Sequence, residues 1–316
     1  MSLLSVRNLS VTFPSDRGPI RAVDNVSFDL EGAQILGVVG ESGSGKSVTA
    51  LAIMRMLTQG VTAEMLEFQG RDLLHLTEPE ARSLRGHHMA MVFQDPMRSL
   101  NPVLTIGRQI TEVLRRHLDM NRAAARRRAI ELLEMVGIPA AESRLAAYPH
   151  QFSGGMRQRV MIAIALSCGP KLLIADEATT ALDVTIQAQI TDLVRRLARD
   201  LGTAVIWITH DLGMVAGLCD QVNVMYAGRI VESGRVDDVF ARPSHGYTQG
   251  LLASTPRIDE TLPQRLRPIE GQPPDMTIPQ TLCPFLPRCA ISLPACTIAA
   301  PISRDFGAGH RATCLA

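Results

Sequence analysis

Gly40-Glu41-Ser42-Gly43-Ser44-Gly45-Lys46-Ser47 decides how the rest of the chain is read. These residues fit G-x-x-x-x-G-K-[ST], the pattern of a loop that cradles phosphate. Before them, Gln34-Ile35-Leu36-Gly37-Val38-Val39 is an apolar run that predicts a buried strand, and after them Val48–Leu57 predicts a helix. A strand–loop–helix of this kind aims successive backbone N–H groups at one point, backed by the positive end of the helix. Gly40, Gly43 and Gly45 allow the tight turn. Lys46 would set a compact cation on the β- and γ-phosphates of a nucleotide, and Ser47 would hold Mg²⁺. The nucleotide-binding candidates are therefore Gly40, Ser42, Gly43, Gly45, Lys46 and Ser47, with Val48 at the helix start. A plain Gly/Ser-rich turn is the bland alternative, and the flanking strand and helix weigh against it.

Further on, Lys171-Leu172-Leu173-Ile174-Ala175-Asp176-Glu177 is an apolar strand ending in two acids. A carboxylate at such a strand end can reach a Mg²⁺ shell, the role expected of Asp176. Glu177, one residue on, points differently and could take a proton from the attacking water. Two acids after an apolar run are weak evidence alone and gain weight from the phosphate loop. Between the two segments, Phe152-Ser153-Gly154-Gly155-Met156-Arg157-Gln158-Arg159 opens a helical stretch over 160–167. Ser153 is an N-cap candidate, and Gly154-Gly155 leave the first N–H groups open, which makes a second anion-binding helix start. Standing alone, this segment would read as a capped helix without a ligand.

The chain has 316 residues, enough for roughly two domains. Its 46% apolar and 20% charged residues are those of a globular protein. With 32 Lys and Arg against 31 Asp and Glu, the net charge of +1 argues against a non-specific nucleic-acid binder. Lys46 and Lys171 are the only lysines, the other basic residues being arginine, a bias of the kind a source genome imposes. A planar guanidinium would replace Lys46 poorly. No stretch reaches the ~20 apolar residues of a membrane-spanning helix, and the first residues lack the pattern of a signal peptide, so a cytosolic chain is expected. Residues 97–168 read as helix-rich, Ala123–Val136 for example, and Arg126-Arg127-Arg128 as a solvated helix face. His87, His88, His117 and His150 show no metal-ligand spacing, and Trp207 and the methionines read as core.

Beyond Leu252, Pro256, Pro263, Pro268, Pro273, Pro274 and Pro279 punctuate a segment without periodicity, read as a linker or extended arm. Four of the six cysteines follow: Cys283, Cys289, Cys296 and Cys314. Cys168 and Cys219 sit in apolar or helical context and read as small core residues. In a cytosolic chain, clustered cysteines bind metal more often than they form disulfides. The spacing lacks the C-x₂-C pairs of structural zinc sites. It is compatible with an iron–sulfur cluster. Cluster, zinc and unliganded thiols all remain open from composition.

The phosphate loop, the Ser-Gly-Gly segment and Leu-Ile-Ala-Asp-Glu, in that order, resemble the ATP-binding subunit of an ATP-binding-cassette (ABC) transporter. The match to the family signature Leu-Ser-Gly-Gly-Gln is partial, with Phe152 for the leucine and Met156 for the glutamine. Gln94, in Val92-Phe93-Gln94-Asp95-Pro96, is similar to the glutamine that links Mg²⁺ and water to the membrane partner. Asp183, after Ala181-Leu182, is similar to the loop crossing the dimer interface, and His210, in Trp207-Ile208-Thr209-His210-Asp211, to the histidine at the γ-phosphate. Phe13 is the candidate for the aromatic stacked on adenine. The resemblance covers about residues 3–250.

It implies an α/β fold, a P-loop NTPase ABC cassette. A RecA-like core would carry an antiparallel β subdomain and a helical subdomain at about 97–168, all within 1–250, and 251–316 would form a cysteine-containing C-terminal arm. It also implies Mg²⁺ on Ser47, Gln94 and Asp176. Two cassettes would sandwich two ATP molecules, so Ser153, Gly154 and Gly155 would meet the γ-phosphate held by the partner. Glu177, His210 and Gln94 would carry catalysis. The tail from Arg242-Pro243-Ser244-His245-Gly246-Tyr247-Thr248 through Cys283-Pro284-Phe285-Leu286-Pro287-Arg288-Cys289 is similar to the dipeptide/oligopeptide-import branch. There, four cysteines hold a [4Fe–4S] cluster, which implies that group on Cys283, Cys289, Cys296 and Cys314. The implied partners are two transmembrane permeases, a related second ATPase subunit and, indirectly, an extracytoplasmic solute-binding protein. No nucleic acid is implied, and the expected location is the cytoplasmic face of the inner membrane, peripheral to it. Import of nickel or another solute, and a soluble cassette ATPase acting on DNA or ribosomes, are the rival readings. The single phosphate loop and the short span between Gln94 and Ser153 disfavour the last.

Overall fold

The computed structural model describes residues 2–95, 99–179, 183–255 and 268–316. Pro96, Ala181, Leu182, Pro256 and Pro263 lie outside the described residues. The chain divides into two compact units, one of residues 1–30, 35–74 and 209–316, the other of 31–34 and 75–208.

In the first unit, Leu4–Phe13 is the middle of an antiparallel sheet, with Ile20–Leu30 on one side and Met65–Phe68 on the other. Leu4 and Val6 face inward, and the strict alternation then breaks: the next inward residues are Leu9 and Val11. Asn8, in the left-handed region at φ 50°, marks a shift of register between Val6 and Leu9. The extra residue of such a bulge returns the later apolar side chains to the face of the earlier ones, which a regular strand could not do.

The same unit holds the parallel pair Ile35–Val39 and Gln221–Tyr226. All five residues of Ile35–Val39 are buried, which suits an apolar run covered on both faces. Arg229–Arg235 adds antiparallel to Gln221–Tyr226, then Arg311–Thr313 adds to Arg229–Arg235, and Ser303–Asp305 follows. The tail beyond residue 268 is thus not the extended arm its prolines suggest. It returns to the sheet, pairing Ala312 with Glu232. Phe285 anchors it, 1% exposed and edge-on to Tyr226 and Tyr247 at 5.2 and 5.3 Å between ring centres. Burying a ring of this size stabilises by about 1.5–3 kcal/mol, which helps hold a segment with few ladder hydrogen bonds.

In the second unit, Met89–Val92, Leu172–Asp176 and Ala204–Thr209 are parallel neighbours. Its long helices are Ile106–His117, Arg122–Met135, Gly154–Leu166 and Val184–Leu201. Thr105 and Asn121 cap the first two by accepting from the N–H of Arg108 and Ala124. The arginine run lies on an exposed helix face, where Arg126 meets Glu142 and Arg128 meets Glu131. Trp207 is core, but Met56 and Met65 are exposed, and Cys168 and Cys219 are half-buried rather than fully enclosed. No helix among the described residues is long and apolar enough to cross a membrane.

Candidate functional site

The helix after the phosphate loop starts at Lys46, two residues before the predicted Val48, because Gly45 at φ 100° serves as its N-cap. It stops at Ile53, short of Leu57, and Arg55 follows in the left-handed region at φ 54°. Two glycines are dictated by packing as well as by conformation. A Cβ on Gly40 would lie 2.2 Å from the Met225 carbonyl oxygen, and one on Gly45 would lie 2.5 Å from that of Ala22. Lys46 is 5% exposed. Its Nζ donates to the carbonyl oxygens of Gly40 and Glu41, both at 2.8 Å, and to Ser44 Oγ at 3.3 Å. The ammonium is thereby held over the loop by its own oxygens. Ser42, Gly43 and Ser47 are exposed, whereas Val48 and Phe13 are half-buried, Phe13 at the end of its strand.

In the other unit, Asp176 is buried at the end of its strand, opposite Ile208. Glu177 leaves the strand at φ 47°, with its N–H donating to the Ile208 carbonyl at 2.9 Å. This left-handed residue redirects the side chain away from the strand's alternation. Gln94 Nε2 donates to Glu177 Oε2 at 2.8 Å, bringing together two residues 83 positions apart. Ser153 Oγ accepts from the Met156 N–H, so the helix begins at Gly154 rather than near 160. Asp183 caps Val184–Leu201 in the same manner, accepting from the Ile186 N–H at 3.0 Å. The two helix starts abut: a Cβ on Gly155 would lie 2.8 Å from Ile186 Cγ2. His210 is exposed, and Asp211 beside it caps Leu212–Leu218.

Two partners of the phosphate loop have no local signal in the sequence. The Glu41 N–H donates to Tyr247 Oη at 2.7 Å, and the Glu41 carboxylate pairs with Arg288. A buried cation needs a counter-charge, but the sequence gives no way to choose among 31 acids.

Cys283, Cys289, Cys296 and Cys314 converge on one small cavity that His245 and Gly246 also line, and all four are free thiols. Burial pushes the Cys283 and Cys289 thiols up, while the N–H groups of Phe285 and Ile291 donate to their sulfurs and oppose the rise. Burial holds His245 down to about 4. Its Nδ1 accepts from the Tyr247 N–H, which leaves a proton on Nε2, 3.8 Å from Cys283 Sγ. The chemistry of this donor set fits a thiolate-bound group. Among the described residues, however, no three His, Cys, Asp or Glu side chains are close enough to hold a single metal ion.

Residues 23–180 match the ABC transporter family, and residues 231–296 match the oligopeptide/dipeptide transporter C-terminal region. The chain is 50% identical over 313 residues to the oligopeptide transport ATP-binding protein OppD of Salmonella typhimurium, covering 99% of this chain and 93% of that protein. Against the dipeptide transport ATP-binding protein DppD of Bacillus subtilis it is 48% identical, covering 99% and 94%. Among solved structures, it resembles a dimeric post-hydrolysis state of the ATP-binding cassette MJ0796 bound to ADP and phosphate. The TM-score there is 0.66 at 26% identity, over 74% of this chain and 98% of that one.

Proposed function

The chain belongs to the ABC transporter ATP-binding family, in its oligopeptide/dipeptide branch, and we propose that it hydrolyses ATP to drive import of di- or oligopeptides through partner permeases. The observation that carries this is a half-identical match over nearly the whole chain, cassette and tail alike. Lys46 neutralises the β- and γ-phosphates, while the N–H groups of the Gly40–Ser47 loop orient them. Ser47, Gln94 and Asp176, all oxygen donors, would hold Mg²⁺, which supplies charge neutralisation when bound. Glu177 takes the proton of the attacking water. The Gln94 contact at 2.8 Å fixes one of its carboxylate oxygens and supports that role. His210 stands at the γ-phosphate, and Phe13 stacks on adenine. Ser153, Gly154, Gly155 and Asp183 serve a second cassette, with Ser153 and Gly155 reaching the nucleotide that the partner holds.

The cassette spans 1–250, with its helical subdomain at 97–168, and 251–316 form the cysteine-containing C-terminal tail. Cys283, Cys289, Cys296 and Cys314 would carry a [4Fe–4S] cluster, which would brace the tail, a reading favoured by four free thiols on one cavity. The chain works on the cytoplasmic face of the membrane, docked on two permeases beside a related ATPase subunit and served by a solute-binding protein. The test is reconstitution of the chain with those permeases and its partner ATPase in proteoliposomes. ATP-dependent uptake of a labelled oligopeptide is expected. Uptake of nickel alone would replace the peptide reading, and recovery of the chain on ribosomes or DNA instead of permeases would end it.

A further inference from the structure

Arg288 lies between Pro287 and Cys289, in the segment that carries two of the four cavity cysteines, yet its side chain serves the phosphate loop. Its Nη1 and Nη2 donate to Glu41 Oε2 and Oε1 at 2.8 and 3.0 Å, the parallel fork of a bidentate pair. Nη1 also donates to Tyr226 Oη at 3.1 Å, Nη2 to the Ile269 carbonyl at 3.3 Å, and Nε to the Glu270 carbonyl at 3.0 Å. All five donors of the guanidinium are used. The side chain is 5% exposed and lies against the rings of Tyr226 and Phe285. A fully exposed ion pair would matter little, whereas one whose guanidinium is buried and fully bonded, with the Glu41 carboxylate only partly exposed, holds its partners in one arrangement.

That partner is a residue of the loop itself. The Glu41 carbonyl is one of the oxygens on Lys46 Nζ, and its N–H is held by Tyr247 Oη. Tyr247 follows Gly246, where a Cβ would lie 2.8 Å from Cys289 Sγ. Two short routes therefore run from the cysteine cavity to Glu41, one through Arg288 and one through Gly246 and Tyr247.

We propose that Arg288 is a positioning residue for the phosphate loop, and that through it the integrity of the four-cysteine cavity sets how tightly the loop holds nucleotide. This rests on the nucleotide reading of the loop but not on which group the cysteines hold. Loss of a cysteine lets the Pro287–Cys289 segment shift, the fork on Glu41 opens, and the peptide that Lys46 grips is no longer fixed.

The test measures binding of a fluorescent ATP analogue, with Mg²⁺, to the full-length chain purified anaerobically, alongside its iron and sulfide content. Arg288→Ala should raise Kd about tenfold, equivalent to about 1.4 kcal/mol. Arg288→Lys, which keeps the charge and loses the fork, should fall between it and the unaltered chain. Cys283→Ser should also raise Kd, but by clearly less in the Arg288→Ala background, where only the route through Gly246 and Tyr247 remains. In the assembled transporter, Arg288→Ala should raise KM for ATP by a similar factor and change kcat less than twofold. Equal shifts from Cys283→Ser in both backgrounds would overturn the proposal, as would an unchanged Kd in Arg288→Ala. If that variant does not fold, Glu41→Gln in place of Arg288→Ala answers the same question from the other side of the pair. An iron-free chain that still shows the non-additive shift would sink the cluster and leave the Arg288 link standing. No nucleotide binding by the unaltered chain would instead remove the reading on which this rests.

Discussion

Gly155→Ala tests whether the Ser153-Gly154-Gly155 turn and the Asp183-capped helix work as one packed piece. The added methyl would meet Ile186 Cγ2 at 2.8 Å, closer than carbon atoms tolerate. Cγ2 is bonded directly to the Ile186 Cβ, so it cannot swing aside as the tip of a long side chain could. Forcing one methyl into such a contact costs about 1–3 kcal/mol. If the displaced turn must close on a partner's nucleotide, that range corresponds to a roughly fivefold to hundredfold loss of hydrolysis. Ile186→Ala alone removes a half-buried side chain and should cost only about 1 kcal/mol, below the range of a core position. Combined with Gly155→Ala it removes the clash, so the double variant should recover most of the lost rate and show a coupling energy of about 1–2 kcal/mol. The assay is steady-state ATP hydrolysis by the assembled transporter, with nucleotide binding by the isolated chain as a control that should not change. Additive losses in the double variant, or weakened binding in Gly155→Ala, would refute the packing argument.

Three further outcomes follow from the first unit. Tyr247→Phe keeps the ring but removes the acceptor of the Glu41 N–H, so urea denaturation should register a loss of about 1–2 kcal/mol, whereas Tyr247→Ala should lose roughly twice that or more. Gly40→Ala should abolish nucleotide binding in a fluorescence titration, because its Cβ would meet backbone at 2.2 Å and its φ of 155° is strained for alanine. Phe285→Ala empties the space beside the paired rings of Tyr226 and Tyr247, and limited proteolysis should find the chain beyond residue 268 cut faster, with global stability down about 3–5 kcal/mol.

What the sequence made legible was local. The Gly40–Gly45 turn and the Ile35–Val39 strand stand within a residue of where the motif and periodicity put them, because both rest on contiguous residues. The helix after the loop departs from its apolar pattern at both ends for physical reasons. Its first turn is built from Lys46 and Ser47, which read as loop, and the apolar pattern runs on past Arg55, where the backbone turns left-handed. The helix at Gly154 starts ahead of its apolar stretch over 160–167 because Ser153, the N-cap candidate, caps it. The tail was the least legible. Its prolines mark the absence of a repeating element, and what replaces one is a set of single contacts at long range. Arg288 reaches Glu41 across 247 residues, and Ala312 pairs with Glu232. No window along the chain contains both members of either pair. Likewise the meeting of Gln94 with Glu177 follows from two strands becoming neighbours, which residue patterns alone do not order.

Glu177→Gln in the reconstituted transporter is the direct test of the engine. The amide cannot take the proton of the attacking water, while its shape and the phosphate loop are unchanged. The expected result is retention of Mg²⁺ and ATP with turnover reduced at least a hundredfold and peptide uptake lost with it. Hydrolysis at the rate of the unaltered transporter would contradict the account.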